Sequence, residues 1–340
     1  MAARGRDHAR GLRGADLIRA GIDTSPLAQT RAGTARYLEG LLPELERLVD
    51  VRRLSFGGPG RLTAAARDLW WYPAGLPLRA RGLDVLHCPT FRGPLRSSVP
   101  LVVTVHDLAV LRYPDAFRAW SRWYGRALVR HVIRAARLVI AVSEFTRREI
   151  VELAGVPEER VRVVPNATAD VFAPEGPSAP GDYVLAVGTL EPRKNLGRLV
   201  DAAGRLGLEL RVVGARGWGG VDAGGSWLGR VSDEELAALY RGALCVAYPS
   251  LYEGFGIPVL EAMRCGAAVV TSAGTAMEEV ADGAAELVDP LDTAAIAAGI
   301  ERAIARRDEL GAAGRERARA YSWAGAAEAT VRVYEEAAGG

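Results

Sequence analysis

Short apolar runs alternate with amphipathic helical patterns along almost the whole chain. In the front half the runs are LIRAGID (17–23), VRRLSF (51–56), DVLHCP (84–89), LVVTVHD (101–107), RLVIAVS (137–143) and RVRVVPN (160–166). The alternation restarts after residue 182 with YVLAVGT, LELRVVG, LCVAYPS, AAVVTS and AAELVDP. Strands that alternate with helices favour parallel sheets. The pattern therefore predicts an α/β protein with two Rossmann-like, doubly wound parallel-sheet domains that face a cleft.

Composition along the chain sets the expected domain boundaries. The 340 residues exceed one ordinary core and fit two domains of about 150 residues each. A stretch rich in proline and glycine divides them. We expect a flexible basic extension at 1–14, a front domain at 15–172, a linker at 173–181, a back domain at 182–321 and a C-terminal helix at 322–340. The alanine-rich last segment is expected to pack as structure and to cross back to the front domain.

Hydrophobic residues make up 49% of the chain and charged residues 25%, a balance typical of globular proteins. The cysteines and histidines show neither a disulfide framework nor the spacing of metal ligands, so no metal site is predicted. They are Cys88, Cys245 and Cys265, and His8, His87, His106 and His131. No run of about eighteen apolar residues occurs, and the first residues lack the apolar stretch of a secretory signal. We therefore expect a cytoplasmic protein.

Charge divides unevenly between the two halves of the chain. Residues 1–173 carry 27 arginines against 17 acidic residues, a net charge of +10, whereas residues 174–340 carry 16 cationic and 24 acidic residues, a net charge of −8. A basic front half favours an anionic partner, either a membrane surface, a lipid phosphate or nucleic acid. Nucleic acid is not expected, because the overall charge is near neutral and no recognised nucleic-acid module occurs.

One helical pattern could carry a peripheral contact with the inner membrane surface. Arginines recur at every fourth position from Arg118 to Arg134, while Trp120 and Trp123 suit the opposite side of the helix. A basic amphipathic helix of this kind can lie on anionic lipid. The alternative is an ordinary solvated helix face.

Two carboxylates stand eight positions apart in YPSLYEGFGIPVLEAM (248–263), on either side of a predicted helix start. Gly254 and Gly256 would let the backbone approach a ligand closely, and the helix N-terminus would aim free N–H groups at it. Glu253 lies in the glycine-rich loop with no obvious structural duty, whereas Glu261 alone could be a partner of the helix dipole. The segment predicts a seat for an anionic or hydroxyl-rich ligand such as a sugar nucleotide.

A second segment, 184–199, is an apolar strand, a short turn and a helix start that carries Arg193 and Lys194. Lys194 is the only lysine in the chain. A flexible point charge in a strand-to-helix turn suits a phosphate, which favours a functional role over the chance survival of one lysine in an arginine-rich chain. His106 follows a front-domain strand, where a lone histidine is more often a satisfied core residue than a catalytic one.

Taken together, these segments resemble the retaining GT-B glycosyltransferases, and within them glycosyltransferase family 4. The matching segments are GIDTSPLAQTRAGTARYLEGLL (21–42), VVTVHDLAVLRYPDAF (102–117), VSEFTRREI (142–150), VVPNA (163–167), VGTLEPRKNL (187–196), GRVSDEELAALYRGA (229–243), the two-glutamate segment and YSW (321–323). The chain departs from many relatives in one respect, since these separate the phosphate-binding arginine and lysine by several residues.

The resemblance implies a role for each candidate residue in the back domain. Arg193 and Lys194 would hold the donor diphosphate, and Glu261 would accept hydrogen bonds from the ribose. Glu253, with the backbone around Phe255 and Gly256, would contact the donor sugar.

The resemblance extends to three further positions. Backbone groups near Val231 would read the nucleobase. From the front domain, Gly33 would approach the phosphates or the acceptor, and His106 would be the active-site histidine near the anomeric carbon.

The implied activity is transfer of a hexose, with retention of configuration, to a glycan or polyprenyl-linked acceptor. A cationic pair at a helix start can stabilise the charge that grows on the leaving phosphate, so neither a metal nor a cofactor is expected. Same-face attack assisted by the leaving phosphate is the simplest route to retention, and Glu253 as a covalent nucleophile is the alternative. The GTLEPRKN form is similar to bacterial mannosyltransferases of surface-polysaccharide assembly, which makes GDP-mannose the first donor and leaves UDP-sugars open.

Two other functions are less well supported by the sequence. The glycine-rich GARGWGG (214–220) follows a strand and would suit an NAD-dependent oxidoreductase, but the spacing G-x-G-x-x-G is absent. A non-catalytic binding protein of the same fold would be expected to lack the phosphate-binding or glutamate residues, and all of them are present.

Overall fold

The computed structural model describes residues 17–29, 33–58, 60–114, 125–217, 219–220 and 226–339. Within these residues the chain forms two six-stranded sheets, in which every strand pair is parallel, with helices packed against them. The structure confirms the predicted fold of two doubly wound α/β domains. The expected extension at 1–14 lies outside the described residues.

The first sheet has the strand order β2-β1-β3-β4-β5-β6. Its strands are β1 (Arg19–Asp23), β2 (Asp50–Leu54), β3 (Val85–Cys88), β4 (Leu101–Val105), β5 (Leu138–Ala141) and β6 (Val161–Val163). Its α-helices are α1 (Gly33–Leu48), α2 (Arg61–Ala66), α3 (Leu76–Arg79), α4 (Ala109–Arg112), α5 (Arg130–Ala135) and α6 (Glu144–Glu149). Shorter 3₁₀ turns lie at Ser25–Ala28 and Glu158–Arg160, and π-helical turns at Arg67–Gly75, Gly125–Val129 and Ile150–Ala154.

The second sheet has the strand order β12-β11-β10-β7-β8-β9. Its strands are β7 (Tyr183–Val187), β8 (Glu209–Val213), β9 (Ser226–Gly229), β10 (Cys245–Tyr248), β11 (Val269–Ser272) and β12 (Glu286–Val288). A 3₁₀ turn at Pro192–Lys194 precedes the helices α7 (Leu196–Arg205), α8 (Asp233–Gly242), α9 (Ile257–Arg264), α10 (Ala276–Ala281), α11 (Thr293–Ala305), α12 (Arg307–Ala318) and α13 (Trp323–Gly339). The sequence pattern did not predict β9.

The central strands are apolar runs because helices cover both of their faces. Every residue of β3, β4, β5, β10 and β11 is buried. Local signals then fix where helices begin: Ser232 forms a capping box with Glu235 at the start of α8. At the start of α9, Gly256 has φ +104°, and a Cβ there would lie 2.8 Å from Met277 Cγ. Gly256 therefore serves the turn and the packing of α10.

The last helix, α13, packs against α1 of the front domain. Its buried Tyr334 hydroxyl lies 2.6 Å from His87 Nδ1 in β3. At the start of α13 the Trp323 ring packs against Gly40 of α1. A Cβ on Gly40 would lie 2.1 Å from this ring, so the contact requires a glycine. The chain thus returns to the front domain after it has completed the second sheet.

The loop between β10 and α9 docks directly onto the front domain. The Gly254 carbonyl accepts hydrogen bonds from Ser143 Oγ at 2.7 Å and Thr146 Oγ1 at 2.9 Å. A Cβ on Gly254 would lie 1.7 Å from the His106 carbonyl oxygen. The close contact with the other domain therefore requires a glycine at position 254, and the expected approach of this backbone to a ligand stays a prediction.

Candidate functional site

The strand order of the second sheet brings two loops together. β7 and β10 are neighbours in the sheet although β8 and β9 lie between them in the chain. Their connections leave toward opposite faces, so the loops at their carboxyl ends meet at a topological switch point, where such sheets bind ligands. The loop after β7 carries Arg193 and Lys194, and the loop after β10 carries Glu253.

Lys194 and Glu253 form the centre of this meeting point. Lys194 Nζ donates to Glu253 Oε1 and to the Tyr248 hydroxyl, each at 2.6 Å. The Tyr248 hydroxyl and Ser250 Oγ also donate to Glu253 Oε1, at 3.0 and 2.8 Å. The ammonium group therefore sits in a buried polar network that fixes its position.

Arg193 completes the network from the same turn. Its Nη1 donates to Glu253 Oε2 and to the Tyr252 carbonyl, each at 2.9 Å, and its Nη2 donates to Glu191 Oε1 at 2.7 Å. Both cations of the turn are thus paired with carboxylates. The sequence predicted a cationic pair, and the structure shows that Glu253 and Glu191 balance its charge.

Glu253 has a structural duty that the sequence did not reveal. Burial alone would raise its pKa, but the charges of Lys194 and Arg193 outweigh burial and lower the pKa to about 2. The carboxylate is therefore ionised across the physiological range. It links the two loops and positions both cations.

Glu261 lies on α9 in a different environment. It is buried, its Oε2 accepts from the Tyr240 hydroxyl at 2.9 Å, and its Oε1 lies 2.7 Å from Arg36 Nη1. Burial raises its pKa to about 7, and Arg36 and Tyr240 offset only part of that effect. Arg36 also forms an ion pair with Asp233 at the start of α8. A front-domain cation thus spans the cleft to two back-domain carboxylates.

His106 directly follows β4, and its backbone carbonyl lies against the docked loop. Its Nε2 lies 3.0 Å from the Pro89 carbonyl, which can only accept, so Nε2 carries a proton. Burial lowers the pKa of His106, which favours the neutral ring with Nδ1 as an acceptor. Tyr37 packs edge-on against the imidazole with ring centroids 4.8 Å apart.

The structure places the remaining predicted site residues around this centre. Phe255 is buried against Tyr321, so only its backbone can meet a ligand. Val231 is half-buried just before α8. Gly33 is the first residue of α1, and among the described residues no atom outside its chain neighbours and its own helix lies within 4 Å of where its Cβ would be. The ligand roles implied for all these residues stay predictions.

Several residues of the site were missed by the sequence interpretation. Tyr248, Ser250, Tyr240 and Arg36 contact the two glutamates directly. Tyr248 and Ser250 lie inside the singled-out segment, and their nearness to Glu253 was the available signal. Arg36 lies 225 residues from Glu261 in the chain. The only sequence signal for this arginine was its position inside the segment 21–42, which resembles the family.

The glycine-rich run at 214–220 serves packing between loops. A Cβ on Gly214 would lie 1.8 Å from the Gly188 carbonyl oxygen, and one on Gly217 would lie 2.3 Å from that of Leu190. These glycines hold the loop after β8 against the loop after β7. Residue 218 lies outside the described residues.

Two of the arginines of the predicted basic helix are used inside the front domain. Arg130 Nε donates to the Leu153 carbonyl at 2.8 Å, and Arg134 Nε donates to the Ala154 carbonyl at 2.6 Å. Arg118 and Arg122 lie outside the described residues. None of the helices in the described residues combines the length and the apolar composition that a membrane-spanning helix requires. The described part of the chain also contains no cluster of three or more His, Cys, Asp or Glu that could hold a metal ion.

Both halves of the chain match known protein families. Residues 14–170 match the family model described as Glycosyltransferase Family 4, and residues 170–321 match Glycosyl transferases group 1. A protein of Escherichia coli named O-antigen chain mannosyltransferase B is 32% identical over 282 residues, which cover 74% of this chain and 74% of that protein. The chain belongs to glycosyltransferase family 4. This glycosyltransferase carries both predicted glutamates, the lysine and the arginine within the matched regions.

Several solved structures of other proteins have a fold similar to that of this glycosyltransferase. Sucrose-phosphate synthase from Thermosynechococcus elongatus is similar with a TM-score of 0.73 at 21% identity, over 94% of this chain and 98% of that one. HepE of Anabaena, solved in complex with UDP, is similar with a TM-score of 0.70 at 17% identity, over 94% of this chain and 100% of that one. At such identities the likeness concerns the arrangement of the two domains.

Proposed function

We propose that this glycosyltransferase is a retaining enzyme that moves mannose from GDP-mannose to a glycan or polyprenyl-linked acceptor. The observation that carries the proposal is the meeting of Lys194, Arg193 and Glu253 at the switch point of the second sheet, with His106 of the first sheet behind the docked loop. The name of the Escherichia coli relative supports mannose as the sugar. The protein uses the nucleotide sugar as a co-substrate and needs no resident cofactor.

The donor is held by the back domain. Lys194 and Arg193 take the diphosphate, Glu261 the ribose hydroxyls, and backbone groups near Val231 the nucleobase. As the glycosidic bond to the phosphate breaks, negative charge grows on the leaving diphosphate, and the two cations stabilise it at fixed positions. Because Glu253 and Tyr248 already hold Lys194, little reorganisation accompanies the reaction.

The sugar lies between Glu253 and the front domain. Glu253 and the backbone at Phe255 and Gly256 accept and donate hydrogen bonds to its hydroxyls. His106 lies near the anomeric carbon, where its neutral ring can accept a proton or a hydroxyl hydrogen bond through Nδ1. The acceptor hydroxyl attacks from the face that the leaving phosphate occupies, and a phosphate oxygen takes its proton, so the configuration is retained.

The donor is tested by incubating the purified protein with GDP-mannose, UDP-glucose and other nucleotide sugars and measuring hydrolysis and thermal stabilisation. We expect the largest response with GDP-mannose. A response to UDP-sugars alone would support the alternative that the UDP complex of HepE favours. No response to any nucleotide sugar would refute the proposed function.

A matched pair of variants tests the phosphate site. Lys194→Ala is expected to lower turnover by at least about a hundredfold, because it removes one cation from the leaving group. Arg198→Ala removes a nearby cation that bonds Asn195 and not Glu253, and it should leave turnover nearly unchanged. Equal loss in both variants would count against the site. Activity that EDTA abolishes would contradict the metal-independent mechanism.

A further inference from the structure

Arg36 connects the two domains at the position proposed for the donor ribose. It lies in the first turns of α1, in the front domain, and its guanidinium bonds Glu261 on α9 and Asp233 on α8. All three residues line a cleft of about 890 Å³ between the domains. The contact therefore depends on how the two domains face each other.

The two partners of Arg36 differ in exposure. The Glu261 side chain is 3% exposed, whereas those of Asp233 and Arg36 are 39% and 37% exposed. Glu261 Oε2 is turned toward Tyr240 and Oε1 toward Arg36, so the guanidinium lies on the open side of a buried carboxylate. A hydroxyl group that approaches Glu261 from the cleft meets Arg36 first.

We propose that Arg36 is a cross-domain latch that competes with the donor ribose for Glu261. This inference rests on the proposed function, in which Glu261 accepts hydrogen bonds from the ribose. Ribose binding breaks the Arg36–Glu261 pair, while the pair with Asp233 keeps Arg36 at the edge of the cleft. After transfer, the return of Arg36 to Glu261 helps to expel the nucleoside diphosphate.

The latch weakens nucleotide binding in a way that depends on the ribose hydroxyls. In the wild-type enzyme the hydroxyls must displace the charge-assisted bond between Arg36 and Glu261. The loss of that bond offsets much of the free energy that the hydroxyls gain at Glu261. An enzyme without the guanidinium should gain more from the same hydroxyls. If Arg36 instead bound the phosphates, its removal would weaken all nucleoside diphosphates alike.

Calorimetric titration with GDP and with 2′,3′-dideoxy-GDP separates these cases. For each protein the quantity of interest is the dissociation constant of the dideoxy ligand divided by that of GDP. We expect this ratio to rise about tenfold in Arg36→Met, which corresponds to about 1.4 kcal/mol. Arg36→Lys, with a compact ammonium that cannot make two forked contacts, should give an intermediate ratio and guards against misfolding of the methionine variant.

Arg264→Met is the matched control. Arg264 lies on the same helix as Glu261 and lines the same cleft, but it bonds Thr168 and Asp170. Its removal should leave the ratio unchanged. A ratio that stays constant or falls in both Arg36 variants refutes the latch and leaves the donor assignment intact. A wild-type protein that binds neither GDP nor UDP refutes the proposed function, and the latch with it.

Discussion

Glu253 and Glu261 flank the start of α9, and both are buried, but their neighbours differ in charge. Glu253 faces two cations and keeps a pKa of about 2, whereas Glu261 faces one half-exposed guanidinium and has a pKa of about 7. The first is a permanent anion that orders the phosphate-binding side chains. The second changes its charge near neutral pH, and its ionised form depends on Arg36.

Replacement of Glu253 by glutamine should separate donor binding from turnover. The amide keeps the shape but no longer neutralises Lys194 and Arg193, so GDP should bind about tenfold more tightly. Turnover should fall at least about a hundredfold because the contact with the sugar changes. Calorimetry with GDP and steady-state kinetics measure the two effects.

The control for this variant is Glu191→Gln, which affects only one of the two cations. The Glu191 carboxylate bonds Arg193 and not the Lys194 ammonium, so a smaller gain in GDP affinity and near-normal turnover are expected. Weaker GDP binding by Glu253→Gln would contradict the neutralising role of Glu253. At position 253 glutamine is preferred to alanine, because alanine would remove the acceptor that Lys194 and Arg193 share and would leave a cavity beside two largely buried cations.

The raised pKa of Glu261 predicts a pH dependence of stability. The folded protein holds this proton up to about pH 7, whereas the unfolded chain releases it near the ordinary value of 4.5. Folded-state protonation therefore makes the free energy of unfolding fall as pH rises from about 4.5 to 7, by at most about 3 kcal/mol. The charged groups facing Glu261 are Arg36 and Asp233, with the Tyr240 hydroxyl beside them.

Denaturant unfolding of the wild type and of Glu261→Gln at pH 5 and pH 8 measures this effect. The wild type should lose more stability than the variant between the two pH values, since the amide does not titrate. Identical pH profiles would show that Glu261 ionises normally in the folded protein.

At the scale of elements, the loop from 249 to 256 serves both domains. It follows β10, carries Glu253, and places the Gly254 carbonyl on Ser143 and Thr146 at the start of α6. The same helix start receives the Glu279 carboxylate of α10, which accepts from the backbone N–H groups of residues 144 and 145 at 2.8 and 3.0 Å. A front-domain helix is thus capped by the back domain. The contact sets the distance between the two halves of the site.

Gly254→Ala tests this docking. The added Cβ would lie 1.7 Å from the His106 carbonyl oxygen, so the two domains must move apart. We expect kcat/KM to fall by at least about a hundredfold, whereas GDP should bind no more weakly than to the wild type, because the groups proposed to hold the nucleotide belong to the back domain and separation of the domains also draws Arg36 away from Glu261. Kinetics and calorimetry on one preparation give both numbers.

Gly204→Ala in α7 is the matched control for an added methyl group. In the described part of the chain, no atom outside the neighbouring residues and its own helix lies within 4 Å of its Cβ position, so activity should be unchanged and stability should rise by up to about 1 kcal/mol. Near-normal kcat/KM in Gly254→Ala would show that the docked arrangement is not the one in which transfer occurs.

At the scale of the whole molecule, contacts other than this loop and the ion pairs of Arg36 also hold the chain together. Helix α13 returns from the second sheet to pack on α1, and its Tyr334 bonds His87 of β3. Arg241 of α8 donates to the carbonyls of Ala173 and Pro177, which ties the interdomain segment to the back domain. The basic front domain and the acidic back domain are therefore held side by side.

The charge division predicts an electrostatic contact between the front domain and anionic membranes. The protein should sediment with vesicles in which about a third of the lipid is phosphatidylserine, and less with neutral phosphatidylcholine vesicles. The bound fraction should fall as the salt concentration rises, because salt screens exposed charges. Equal binding to both vesicles, or none to either, would contradict peripheral attachment through the basic domain. Arg130 and Arg134 keep their charge, but their bonds to backbone carbonyls restrain the side chains, so direct contacts with lipid phosphates would have to come from other front-domain arginines.

Much of the fold follows from local pattern. The apolar runs predicted eleven strands in the positions where the structure has them, because strands covered by helices on both faces need continuous apolar sequence. The edge strand β9 was missed, since its four residues are half-buried or exposed and give no such run. In the site, chemistry could be predicted for Glu253, Lys194 and Arg193 because their segments combine glycine turns with charged residues.

The sequence by itself determined the alternation of strands and helices, the turns that carry the charged residues, and the family. The tertiary structure decided which charges meet. Lys194 and Glu253 pair because β7 and β10 are neighbours in the sheet, and Arg36 reaches Glu261 because the two domains face each other. Periodicity is a property of a few consecutive residues, whereas the protonation of a buried carboxylate depends on every charge brought near it, whatever the distance along the chain.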